Sequence, residues 1–251
     1  MKALECSTLA DTFLRYFTVE LAITERQKRA IYHIRYRVYC EEFGYEPLDR
    51  FPDQLERDEY DDHSLSCLIT HKSSGIPAGC VRLVPALEGV PLPLEKYCEK
   101  SLDRAWLEGL GLERSTMCEI SRLAVDGAFR RRAGEAATRF GEVEALGCSL
   151  HERRTFSVIA VAAFLAATAL TEVSGRTNAL AMMEPFLPRL LKRSGILFRR
   201  AGEDIEYHGL RAPFFNTTQD VLENMRPDLK ELYDIIHASV ARDYVGHEFA
   251  A

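Results

Sequence analysis

Three arginines stand where a folded chain tolerates them least. Arg35 falls on the apolar stripe Ile31, Ile34, Val38 of a helix-patterned stretch. Arg82 lies inside Gly79-Cys80-Val81-Arg82-Leu83-Val84, a run that is apolar on both faces of a strand. Arg122 lies inside Cys118-Glu119-Ile120-Ser121-Arg122-Leu123-Ala124-Val125. A buried guanidinium is costly unless a carboxylate pairs with it. The candidate partners are Asp58 and Asp61, from the acidic run Glu56, Asp58, Glu59, Asp61, Asp62, and Glu119 beside Arg122. Three arginines and three carboxylates are therefore expected in one partly buried network. Such a network either fixes a loop onto a sheet or walls a cleft for a charged substrate.

A second group follows directly. Arg131-Arg132-Ala133-Gly134-Glu135-Ala136 reads R-x-x-G-x-A at a strand–loop–helix junction. Free amides at a helix start, with the helix dipole and Arg130–Arg132, suit a phosphate, and Gly134 lets the backbone approach it closely. A basic surface turn is the alternative. Other reactive side chains carry less. His63 and His208 read first as structural residues. Cys40 lies near Arg35 and Arg37 but lacks the partners of a cysteine nucleophile. Ser121 lacks a G-x-S-x-G elbow.

The elements that must position these groups alternate between strand and helix. A strand is expected over 16–23. A helix at about Glu25–Phe43 follows, opened by the capping box Thr24/Gln27. Then come a long loop at 44–62 and two strands, Ser64–His71 and Ala78–Val84, joined by Ser-Ser-Gly. A polar helix fits 93–109 and a strand fits 116–125. Helical sequence runs from Arg131 towards Leu146. Phe156–Leu170 is apolar for 15 residues, too short to span a bilayer, and reads as a helix buried on most sides. Strands at 179–183 and 196–200 flank a helix at 185–193. Residues 204–208 and 212–215 add further sheet, and an amphipathic helix runs from about 219 to 244. The expected fold class is α/β with a mixed central sheet flanked by helices, in one domain over 1–251.

Composition removes other classes. The 251 residues carry a net charge of −6, the wrong sign for a dedicated nucleic-acid binder. Seven cysteines, an odd number without a C-x-x-C pair, argue against a disulfide framework or zinc ribbon, and no metal site is expected. With no signal-peptide pattern, free thiols point to a reducing cytoplasm.

Four motifs occur in order: Ile34-Arg35-Tyr36-Arg37-Val38-Tyr39, Glu56-Arg57-Asp58-Glu59-Tyr60-Asp61, Val81-Arg82-Leu83-Val84-Pro85 and Glu119-Ile120-Ser121-Arg122. Together they resemble the acyl-homoserine-lactone (autoinducer) synthase branch of the GNAT acyltransferases, over about residues 20–125. The resemblance implies a GNAT-like fold. It places Arg35, Tyr39, Asp58, Asp61, Arg82, Glu119 and Arg122 in the family's functional set, with Tyr45 where the family has a tryptophan. Three features differ from that branch: the R-x-x-G-x-A segment, Tyr39 and Tyr45 in place of Phe and Trp, and a longer second half. The whole looks closer to N-acyl amino acid synthases, and nearest to the acyltransferases of exosortase/PEP-CTERM systems.

What the resemblance implies is an N-acyltransferase moving an acyl group, a fatty one by expectation, to the amine of an amino acid or related small molecule. The donor is a phosphopantetheine thioester, acyl-coenzyme A or acyl carrier protein, used as a co-substrate with no permanently bound cofactor. Glu119 is the expected base. Arg82 and Arg122 are expected to keep it ionised, Arg35 to lock the loop, and Asp58 and Asp61 to hold the amine, with Tyr39 and Tyr45 at the acceptor. Leu123, Ala124 and Val125 border the pantetheine and polarise the carbonyl. Arg131, Arg132, Gly134 and Ala136 meet the phosphates. The acyl tail is expected between the sheet and the helix near 155–173. Autoinducer synthesis from S-adenosylmethionine is the alternative reaction, and a non-catalytic module that binds acyl ligands is the alternative class.

Overall fold

A computed structural model describes residues 8–130 and 158–244. The N-terminal helix α1 (Leu9–Tyr16) enters β1 (Phe17–Leu21). Thr24 and Gln27 form the expected capping box and start α2 (Glu25–Arg35). The helix does not continue regularly to Phe43: Tyr36–Glu42 widens into a π-turn. The hairpin of β2 (Leu65–His71) and β3 (Pro77–Pro85) is as expected. The stretch 93–109 divides into α3 (Pro93–Tyr97) and α4 (Arg104–Gly109), separated by a 3-10 turn at Glu99–Ser101.

β4 (Met117–Val125) leads into the short α5 (Gly127–Arg130). After it come α6 (Val158–Val173), β5 (Asn178–Met183), α7 (Leu187–Leu191), β6 (Arg199–Arg200), β7 (Ile205–Glu206) and β8 (Leu210–Thr217). The C-terminal stretch is two helices, α8 (Thr218–Asn224) and α9 (Pro227–Asp243). Pro227 cannot donate an i→i−4 bond and disfavours a helical residue before it, so the expected continuous helix breaks there.

The strands form a mixed sheet in the order β1-β2-β3-β4-β5-β8-β6, with β7 on β8. Among the described residues only β4 and β5 pair in parallel, through Met117↔Asn178, Cys118↔Ala179 and Glu119↔Leu180. Beyond Glu119 no described strand covers that edge of β4. Its other edge carries an irregularity, the register to β3 jumping between Cys80↔Ala124 and Arg82↔Ser121. Arg122 sits there with φ +50°, a left-handed backbone that strains a long side chain.

The bulge inverts side-chain alternation. Before it, Cys118 and Ile120 face α6; after it, Leu123 and Val125 do, while Ala124 turns to the α2 face. α6 is buried on most sides, as its sequence implies, with Ile159, Ala162, Ala163, Leu165, Ala166, Ala169 and Leu170 fully covered. Its small residues let it lie close to the sheet. A Cβ on Gly79 would come within 3.1 Å of the Ala124 carbonyl oxygen and 3.2 Å of Ile159. The fold thus has an apolar α6/α9 face and a second, α2 face where the buried charges lie.

Candidate active site

The arginines do meet. Arg35 and Arg82 are essentially sealed from solvent. Arg35 grips Asp61 in fork geometry, Nη1 to Oδ1 at 2.6 Å and Nη2 to Oδ2 at 3.0 Å, and donates Nε to Glu56. Arg82 forks onto Asp58 (2.6 and 3.1 Å) and also reaches Asp61 (2.9 Å) and Ser121 Oγ (3.2 Å). Arg122 donates to Glu56 Oε1 (3.2 Å) and Asp58 Oδ2 (3.1 Å). The backbone amides of Asp58 and Tyr60 complete the set, on Asp61 Oδ2 (2.8 Å) and Asp58 Oδ1 (3.0 Å).

Three cations therefore face three anions, but the third anion is Glu56 and not Glu119. The signal for Glu56 was in the sequence, as the first residue of its E-x-D-x-x-D motif. The Arg35 and Arg122 guanidinium groups hold the Glu56 carboxyl below its ordinary value against the opposing effect of burial. Arg35 and Arg82 do the same for Asp61. Every carboxylate oxygen of Asp58 and Asp61 is already accepting at least two hydrogen bonds. The expectation that these two aspartates hold the substrate amine meets a network with no open lone-pair direction.

Glu119 stands apart. It is 3% exposed, and its Oε2 accepts the Leu94 backbone amide at 2.7 Å. That amide belongs to the first turn of α3, where Pro93 supplies the opening residue. The expected pairing with Arg82 and Arg122 is not formed, because those guanidinium groups are spent on Glu56, Asp58 and Asp61. Burial consequently dominates and pushes the Glu119 carboxyl up to about 8, despite the Leu94 bond and the more distant arginine charges. Glu119 is held neutral near pH 7 rather than ionised, the reverse of the expectation.

A cleft of about 100 Å³ opens on the α2 face above Glu119. Ser121, Arg122, Tyr39, Tyr45, Glu46, Leu94, Cys98, Met182, Tyr207, His208 and Arg211 line it. Of the expected acceptor residues, Tyr39 and Tyr45 are present, while Arg35, Asp58 and Asp61 lie behind the wall, together with Arg82, which was expected beside Glu119. The π-turn explains how one helix serves both places. Arg35, at the end of α2, points inward; the widened turn then swings Tyr39 onto β4, where its hydroxyl donates to the Leu123 carbonyl at 2.9 Å. The Tyr39 carbonyl takes the amides of Tyr45 (2.7 Å) and Glu46 (3.2 Å), folding that loop over the cleft. Tyr45 stacks on Phe43 and meets His208, with ring centroids 5.2 and 5.1 Å apart.

Where β4 and β5 part, a trough of about 190 Å³ continues along Ile120–Leu123 and Ala181–Glu184 towards Phe186 and Leu187. On the α6 face a small apolar cavity, about 30 Å³, lies between Phe164, Ala167, Thr168 and Thr171 of α6 and Ala179, Ala181, Ile196 and Phe198. Ile120 borders all three spaces and stands between the cleft, the trough and the cavity beneath α6. Leu123 lines the trough; Ala124 and Val125 pair with Cys80 and Gly79 at its end. Arg131, Arg132, Gly134 and Ala136 lie outside the described residues.

The remaining candidates separate cleanly. His63 stays outside the cleft, its Nε2 buried without a partner among the described residues. His208 lines the cleft, and burial keeps its imidazole below the ordinary value and neutral. Burial pushes the Cys40 and Cys98 thiols up to about 11, so neither is poised as a nucleophile. Glu46, Cys98, Met182 and Arg211 were not singled out from sequence. Arg211 lies in the Glu206–Phe215 segment, whose composition alone does not say that it folds back over β5. No group of described residues has the arrangement of a metal site, and no described helix is long and apolar enough to cross a membrane.

A sheet that splits beside a bulged β4, with a buried charge network on one face and a small apolar cavity on the other, defines the architecture. It is the GNAT fold. Residues 34–139 match the model of the acetyltransferase (GNAT) domain. An acyl-homoserine-lactone synthase of Agrobacterium fabrum is 32% identical over 151 residues; the alignment spans 59% of this chain and 59% of that protein. Solved structures superpose on the same GNAT fold, among them TofI and the acyl-homoserine lactone synthase MesI. TofI, in a ternary complex with an inhibitor and MTA, has a TM-score of 0.56 and 20% identity, covering 85% of this chain and 99% of TofI. The CoA-dependent MesI has a TM-score of 0.53 and 19% identity, covering 88% and 95%. FeeM, an N-acyl amino acid synthase from uncultured soil microbes, superposes with a TM-score of 0.53 at 11% identity, covering 86% and 97%.

Proposed function

We propose that the protein is an N-acyltransferase, moving an acyl group from a phosphopantetheine thioester to the amine of an amino acid or related small molecule. The observation that carries this reading is Glu119: a buried carboxyl lifted to about 8, without a guanidinium partner, at the point where the sheet splits between the cleft and the trough. A thioester in the trough places its carbonyl beside that point. The acceptor enters from the Tyr45 side. Once ionised, Glu119 takes a proton from the ammonium, directly or through a water. The nitrogen attacks the carbonyl carbon, the uncovered β4 edge near Leu123 polarises the carbonyl oxygen, and the C–S bond breaks as a second proton lost by the nitrogen passes to the departing sulfur, giving the amide and a free thiol. The arginine–carboxylate network acts as scaffold. It pins the 56–61 loop and the strained Arg122 backbone, and by consuming its own charges it leaves Glu119 basic.

An acyl-coenzyme A donor fits the R-x-x-G-x-A segment at 131–136, which we assign to the pyrophosphate on sequence alone. The likeness to the Agrobacterium fabrum synthase supports a second reading, autoinducer synthesis from S-adenosylmethionine, with the adenine against Tyr45. One experiment addresses both. The chain is incubated with acyl-coenzyme A and either pooled amino acids or S-adenosylmethionine, and released thiol and acylated product are measured. Glu119→Gln is expected to slow turnover about 10²–10⁴-fold with donor binding retained. Unchanged turnover removes Glu119 from proton transfer, and absence of thiol release with every acceptor refutes the acyltransferase reading.

A further inference from the structure

Arg211 is the cleft's unclaimed cation. Its Nε donates to the Tyr207 carbonyl at 3.0 Å, with the His208 carbonyl at 3.4 Å, and its guanidinium lies 5.6 Å from the centre of the Tyr45 ring. These contacts fix the side chain but leave Nη1 and Nη2 without a carboxylate among the described residues. Every other arginine near the cleft is neutralised. Arg35, Arg82 and Arg122 share Glu56, Asp58 and Asp61. Nor do the cleft's own carboxylates answer Arg211, since Glu119 takes the Leu94 amide and Glu46 pairs with Arg50 at 2.9 Å.

The alternation of β8 decides which face this cation serves. Ala212 and Phe214 point into the α6 core, while Phe215 packs with Leu180 on the opposite face. Arg211 therefore projects to the face of Met182 and Glu119. Arg211 stands there where the cleft and the trough meet, away from the cavity beneath α6. A half-buried guanidinium with both terminal nitrogens open suits a planar carboxylate held by two parallel bonds.

We propose that Arg211 anchors the carboxylate of the acceptor, so that the amine substrate is an amino acid with a free carboxyl group rather than a simple amine. The proposal rests on the acyl-transfer reading of the cleft. The anchored carboxylate sets the amine towards Glu119, and the Tyr45 and His208 rings, tilted against each other, border the side chain.

The test compares each standard L-amino acid with the amine that lacks only its carboxyl group, using hexanoyl-coenzyme A as donor. Thiol release gives the rates, and titration calorimetry gives binding of the same compounds without turnover. The wild type is expected to favour the best amino acid over its amine by about 10- to 100-fold in kcat/KM, the worth of a charge-assisted bond pair. Arg211→Gln should erase that preference by raising KM for the acid about 10- to 100-fold more than KM for the amine or the Kd for hexanoyl-coenzyme A. Arg211→Lys should restore part of it. Equal losses for acid and amine, or a loss confined to hexanoyl-coenzyme A binding, overturn the proposal. If no thiol is released but an amino acid binds in an Arg211-dependent way, the anchor stands and the transfer reading fails. If no amino acid binds better than its amine, the anchor fails whatever the chemistry.

Discussion

Replacing Glu56 by Gln isolates the network from the chemistry. Glu56 is 1% exposed, yet it touches neither the cleft nor the trough. Its two oxygens serve Arg35 and Arg122, so glutamine preserves the shape but removes one of three negative charges facing three positive ones. A net positive charge is then left buried. Breaking a buried ion pair from one side costs about 3–5 kcal/mol. For a chain of this size that lowers the melting temperature by roughly 6–20 °C. Thermal and urea denaturation at pH 7 provide the measurement.

The pH dependence supplies a second check, and its sign follows from the depressed Glu56 carboxyl. A group with a lowered folded-state value binds fewer protons when folded. Its stabilisation is present above the unfolded carboxylate value and is lost as pH falls through the folded one. The gap between wild type and Glu56→Gln should therefore be full at pH 7 and shrink in acid. A variant within 1 kcal/mol of wild type at pH 7, or a gap that widens in acid, refutes the closed-network account.

Glu119 has the opposite linkage: raised from 4.5 to about 8, it contributes stability that is full below its unfolded value and lost as pH rises through about 8. Denaturation midpoints should fall between pH 5 and pH 9 in the wild type and fall less in Glu119→Gln, while the rate at saturating substrates climbs towards a plateau above about pH 8 in the wild type only. Tyr39→Phe removes the donor to the Leu123 carbonyl and should cost about 1–3 kcal/mol by urea denaturation if that carbonyl stays buried and unpaired; no loss means water replaces the hydroxyl. Phe164→Ala enlarges the 30 Å³ cavity beneath α6 and should move the preferred acyl chain to greater length in a chain-length series. An unchanged preference places the tail elsewhere.

Much of the frame was legible along the chain because it depends on local order. The Thr24/Gln27 capping box, the β2–β3 hairpin and the buried α6 follow from neighbours within a few residues. The misplaced arginines announced a network because their apolar flanks leave them no solvent. The long elements expected at 93–109 and 219–244 are each broken: the first by the 3-10 turn at Glu99–Ser101, the second at Pro227, a local breaker that restarts the chain as α9. The π-turn at Tyr36–Glu42 and the bulge at Arg122 have no periodic signature, since each adds a residue to a pattern instead of repeating it.

The sequence alone pointed to arginines set into apolar elements and to carboxylates that would meet them, and Arg35 and Arg82 are buried. It could not assign partners. Glu56 and Glu119 are the same residue type, and Glu119 is the closer to Arg122 in the chain. Charge pairing is decided by distance in space, and the 56–61 loop reaches all three guanidinium groups first. That contest in three dimensions leaves Glu56 ionised within a neutral cluster and Glu119 buried without a counter-ion. It is also what separates a scaffold carboxylate from a basic one.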